Sequence, residues 1–159
     1  MRSSLPNLQR AELDMIREDL SPSSGRFKEF LKLQLRRQRF LTQEQEARLL
    51  EEAVLRYHLT ADEANGALRA AADDAEVVTE VELGQSTAQL LKAMADRRNR
   101  VDRADFEKAA DFYRNRTHSA VSLAEAKKRV KRVMEENALE PRRSGRLIRT
   151  RRWYRQIGE

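Results

Sequence analysis

Cysteine is absent from all 159 residues. That removes disulfide frameworks, thiolate metal sites and cysteine nucleophiles together, and it permits a reducing compartment. Histidine occurs only at His58 and His118, and neither has the partner four residues away that a helical zinc pair needs. The glycines, Gly25, Gly66, Gly84, Gly145 and Gly158, are all isolated, so no glycine-rich loop cradles a phosphate. No serine sits in a nucleophile-elbow context. No apolar run approaches the roughly 20 residues that span a bilayer, and the polar start Met1-Arg2-Ser3-Ser4 lacks the apolar stretch of a secretion signal. These absences lead to the expectation of a soluble, cytoplasmic protein that is not an enzyme and carries no cofactor.

What the chain does contain is a repeated phrase: an apolar residue, then Thr, Ser or Asp, then an acid or amide three residues later. It occurs at Leu41-Thr42, Leu59-Thr60, Val78-Thr79, Val101-Asp102 and Val121-Ser122, followed in turn by Gln45, Glu63, Glu82, Asp105 and Glu125. The small side-chain oxygen can accept the N–H three residues on while the later side chain reaches back, so each phrase predicts a helix start. The spacing leaves room for helices of three or four turns joined by short loops. Val78 with Leu83, and Val101 with Phe106, occupy the two positions of a hydrophobic staple.

Two further helices are expected before these, at about Pro6 to Asp19 and Ser24 to Arg39, separated by the breaker Ser21-Pro22-Ser23-Ser24-Gly25. The second carries Phe27, Phe30, Leu31, Leu33, Leu35 and Phe40 beside the cations Lys32, Arg36, Arg37 and Arg39. It reads either as a core helix with a solvated basic edge or as a surface for a membrane or a nucleic-acid backbone. Leu49, Leu50, Ala53, Val54 and Tyr57 form the expected inner stripe of the next helix. Ala61, Ala64, Ala67, Leu68 and Ala71 form that of its successor, whose small side chains permit close approach. The predicted fold is all-α: a single bundle of six to seven short antiparallel helices over residues 1–140, with a basic C-terminal tail at 141–159.

Charge is segregated along this layout. Residues 23–41 sum to +5, 42–114 to −6 and 115–159 to +8. Between Arg142 and Arg155 there are seven arginines and no acid, interleaved with Leu147, Ile148, Trp153 and Tyr154. The tail admits three readings. It packs on its own acidic centre; it docks into an acidic protein groove with Trp153 as anchor; or its arginines pair with phosphates while its rings stack on bases. The favoured function is an adaptor or accessory protein that engages an acidic protein partner. Its contact residues would be Arg142, Arg143, Arg146, Arg149, Arg151, Arg152, Trp153, Tyr154 and Arg155, with Lys32, Arg36, Arg37 and Arg39 as a second basic surface. A nucleic-acid-binding accessory factor is the alternative, and a membrane partner is not expected.

The phrases Val78-Thr79-Glu82 and Val101-Asp102-Asp105 are also similar to the outgoing half of a calcium-binding helix-loop-helix. The incoming halves supply Ala71, Asp73 and Ala75, or Met94, Asp96 and Arg98, where ligands would stand, and both lack the central glycine. They are therefore expected to be degenerate EF-hand-like turns without metal. The run from Leu41-Thr42-Gln43-Glu44 through Leu59-Thr60-Ala61-Asp62-Glu63-Ala64, with Asp73-Asp74-Ala75-Glu76 beyond, resembles the helical repeats of TerB-like tellurite-resistance domains. That resemblance implies a role in larger assemblies and, as a third functional reading, a metal-binding module whose acids would be Asp73, Asp74 and Glu76.

Overall fold

The computed structural model describes residues 22–144 and 150–158. The helix expected over 6–19, and Gly145, Arg146, Leu147, Ile148 and Arg149 of the tail, lie outside the described residues. The described residues are all-α apart from two two-residue ladders and one isolated bridge between Ser144 and Thr150. Their helices are α1 (Pro22–Leu35), α2 (Gln43–Tyr57), α3 (Ala61–Asp74), α4 (Glu80–Met94), α5 (Arg103–Arg116), α6 (Leu123–Glu136) and the single turn α7 (Arg152–Arg155).

Five helix starts fall where the repeated phrase places them: α2 to α6 each begin one residue after Thr42, Thr60, Thr79, Asp102 and Ser122. Thr60 and Glu63 make the full reciprocal box. Thr79, Asp102 and Ser122 accept from the backbone N–H of Glu82, Asp105 and Glu125. Each such cap contributes about 1 kcal/mol.

Helix ends follow a second rule that the sequence conceals. After α3, Val77 N–H donates to Ala72 and Glu76 N–H to Asp73; after α5, Ser119 reaches Arg114 and His118 reaches Asn115; after α6, Leu139 reaches Met134 and Ala138 reaches Glu135. This pattern is the Schellman closure, which turns on one left-handed residue. That residue is Glu76, His118 or Ala138, at φ of 53°, 50° and 53°, where glycine is the common choice.

Contacts divide the chain into two compact units. The first comprises α1, α2 and α3. Phe27, Leu31 and Leu35 form the inner line of α1, and Ala64, Ala67, Leu68 and Ala72 that of α3. Alanines let the two helices approach closely, and Phe27, Phe30 and Tyr57 close one end as an aromatic triad with centroids 5.3 to 6.2 Å apart. On α2 only Ala53 is fully buried. Val54, expected on the inner stripe, is 43% exposed, and Leu33 of α1 is 71% exposed.

The second unit comprises 39–42 and the chain from Val78 onward. Leu83, Leu91, Phe106, Tyr113, Val130 and Met134 from α4, α5 and α6 fill its core. Both staple pairs contribute: Val78 packs against the same cluster as Leu83, and Val101 and Phe106 are fully buried within it. Two short parallel ladders edge this unit. β1 (Phe40–Leu41) pairs with β2 (Val78–Thr79), and β3 (Arg100–Val101) with β4 (Glu140–Pro141). The first ladder explains why α1 stops at Leu35 rather than near Arg39: Phe40 and Leu41 are drawn into pairing and burial, and Gln38 turns back to the Leu35 carbonyl. Arg36, Arg37 and Arg39 are thus not helical.

Candidate functional site

The face of α1 next to its buried line carries Gly25, Lys28, Glu29 and Lys32, a spacing of three or four residues that keeps them on one stripe, and Arg36 extends it from the turn just after the helix. Opposite it α3 offers Ala67, Ala70, Ala71, Asp74 and Ala75. Between the stripes runs a groove of about 710 Å³, within the roughly 300–1,000 Å³ usual for binding clefts. Its volume comes from what the side chains lack. Gly25 has nothing within 4 Å of where a Cβ would stand, and the floor is alanine. The walls are charged, with three cations against two acids. Lys32 Nζ donates to Glu29 Oε1 at 2.8 Å; this hydrogen bond, helped by the Glu29 and Asp74 charges, holds the Lys32 ammonium above its ordinary pKa. Arg36, one turn further on, has no ion-pair partner among the described residues.

Of the second basic surface read from the sequence, the structure brings Lys32 and Arg36 to this groove. Arg37 follows in the turn after α1, and Arg39 belongs to the second unit, where its carbonyl accepts from Val78. Lys28 and the alanine floor were not among the candidates. The stripe 25, 28, 29, 32, 36 carries the periodicity that could have marked them, but its facing partner α3 is far along the chain.

The tail residues separate into two groups. Trp153 and Tyr154 turn inward onto Phe106, edge to face, with centroids 5.3 and 6.1 Å away. Tyr154 is buried; its hydroxyl donates to the Lys131 carbonyl, and burial, then Glu135, pushes its pKa up. Trp153 Nε1 donates to the Arg142 carbonyl at 3.3 Å. Arg151 pairs with Glu140 at 2.7 Å. Arg142, Arg143, Arg152 and Arg155 are exposed. Arg146 and Arg149 lie outside the described residues.

Asp73, Asp74 and Glu76 are exposed around the C-terminal end of α3, and among the described residues no three of His, Asp and Glu gather as metal ligands. His58 and His118 both occupy left-handed backbone positions that follow helices, a conformation histidine enters more readily than most residues. Among the described residues no helix is long and apolar enough to cross a membrane.

The chain matches no family model, and comparison with curated proteins and with solved structures yields no match.

Proposed function

We propose that the chain is a non-enzymatic interaction module, an adaptor or accessory protein, whose first unit takes an acidic amphipathic helix of a protein partner into the groove between α1 and α3. The observation that carries this reading is the union, in one groove, of an alanine floor with charged walls in which three cations outnumber two acids. Helix-in-groove recognition needs an apolar trough for the anchors of the incoming helix and complementary charge along its edge. Lys28, Lys32 and Arg36 supply that edge. The floor of small residues leaves room for several aliphatic side chains.

The probe is a labelled helical peptide with leucines on one face and glutamates on the other, followed by fluorescence anisotropy. Lys28→Glu with Arg36→Glu should weaken binding about tenfold or more, equivalent to about 1.4 kcal/mol. Ala70→Trp, at an exposed position on the floor, should weaken it further by occupying the trough. A chain that does not bind the peptide, or binds it equally in both variants, contradicts the reading.

A further inference from the structure

The exposed arginines of the tail form a surface of a different chemical kind. Ser144 and Thr150 exchange two backbone hydrogen bonds, at 2.9 and 3.0 Å, as an antiparallel bridge. The Trp153 to Arg142 hydrogen bond and the Arg151–Glu140 ion pair fasten the two limbs together below that bridge. The backbone at Arg142 and Arg143 on one limb thereby runs next to the limb that carries Arg152. Arg155 follows three residues on, on the same side of α7.

None of these four arginines has an ion-pair or hydrogen-bond partner through its side chain among the described residues. Between Arg142 and Gly158 the sequence has no acid. The segment that bears Arg152 and Arg155 is held by an aromatic mount: Trp153 and Tyr154 on Phe106, and Lys131 Nζ donating to the Ile157 carbonyl at 2.8 Å. The backbone that carries these charges is thus positioned before any ligand arrives, which removes one cost of binding.

The same mount identifies the ligand class. An interface with protein draws its energy from buried apolar anchors, yet the rings here face Phe106. The exposed large apolar residues of the described chain, Leu33, Val54, Leu55 and Val81, all lie elsewhere in the sequence. Stacking on unpaired bases would compete with the same contacts, since Tyr154 is buried and half-buried Trp153 is held edge-on to Phe106. Arg142, Arg143, Arg152 and Arg155 are exposed here, and the planar fork of their guanidinium groups suits phosphate oxygens.

We infer that Arg142, Arg143, Arg152 and Arg155 form a binding surface for the phosphate backbone of double-stranded nucleic acid, without sequence readout. This surface is independent of the α1–α3 groove.

The test is fluorescence anisotropy of the full chain with a labelled duplex of mixed sequence, as DNA and as RNA, across 50–200 mM salt. Four phosphate contacts give a slope of about −3.6 in log affinity against log salt, a loss of roughly 100-fold over that range. Changing the four arginines to glutamine should abolish binding at 100 mM salt with the thermal midpoint unchanged, whereas changing them to lysine should retain most of it. Arg36→Gln, in the groove, should leave it intact. DNA and RNA duplexes should bind within a few-fold of each other. The inference is overturned if the glutamine variant binds as the parent does, if poly-glutamate competes as well as unlabelled duplex, or if a single strand binds more tightly than the duplex, which would mean that Trp153 leaves its mount to stack.

Discussion

Trp153 donates its indole N–H to the Arg142 carbonyl while its ring stands edge-on to Phe106. One side chain thus fixes both the course of the chain before the reversal and the contact of α7 with the core. Trp153→Ala removes the ring and the hydrogen bond together and should cost about 2–4 kcal/mol in urea unfolding. Tyr154→Phe keeps the ring and removes only the hydroxyl bonded to Lys131, which should cost about 1 kcal/mol.

The left-handed residues behind α3 and α6 carry a steric cost because they have a Cβ. Glu76→Gly and Ala138→Gly should each raise stability by a few tenths to about 1 kcal/mol, the relief of that cost less the added chain entropy of glycine. Ala138→Val should lower it. Thermal melting reads all three changes, and a lower midpoint for both glycine variants would count against the assigned backbone.

Arg129 joins α6 to the start of α4. Its guanidinium pairs with Glu80, lies near Glu125 at 3.4 Å and covers the Phe40 ring at 5.4 Å. Both members of the Arg129–Glu80 pair are largely withdrawn from water. Arg129→Ala should therefore cost about 3 kcal/mol, because Glu80 keeps its burial and loses its closest partner. Glu80→Leu with Arg129→Met should cost less than Arg129→Ala alone, since neither charge is then stranded. A double-mutant comparison of unfolding free energies checks this.

Tyr113 and Asp96 each make the stability of the fold depend on pH. Burial, aided by Glu80, pushes Tyr113 up to about 12. The folded state then holds a proton that the unfolded chain releases near pH 10, so stability is full below pH 10 and falls as pH rises to about 12, by about 2–3 kcal/mol. Tyr113→Phe should flatten that fall. Hydrogen bonding from Arg100, with the Arg98 and Arg100 backbone N–H groups, holds Asp96 down to about 2 against its burial. That contribution is present above about pH 4 and disappears as pH falls through 2. The urea midpoints of the parent and Asp96→Asn should differ at pH 5 and converge toward pH 2.

Helix starts are legible in this chain because Thr60, Thr79, Asp102 and Ser122 advertise them chemically; helix ends are not, because Glu76, His118 and Ala138 stand where glycine would have announced a stop. The ladders of Phe40 with Val78 and Arg100 with Glu140 are two residues long, too short for any alternation to show. That pairing in turn ends α1 at Leu35, against the helical preference of Arg36 and Arg37. The groove shares this obscurity. Its cations and alanines are each visible along the chain, but that Lys28 and Arg36 line the same groove as Ala70 is a tertiary fact. In the tail, composition shows arginines and rings; only packing shows that the rings turn inward and the charges outward.

The most direct measurement of the account is an NMR titration of the full chain, labelled at its alanine methyls, with the acidic amphipathic peptide. Shifts are expected at Ala67, Ala70, Ala71 and Ala75, absent in the Ala70→Trp variant for the remaining three. Shifts confined to other alanines, such as Ala109 or Ala126 of the second unit, or no shifts at saturating peptide, would contradict it.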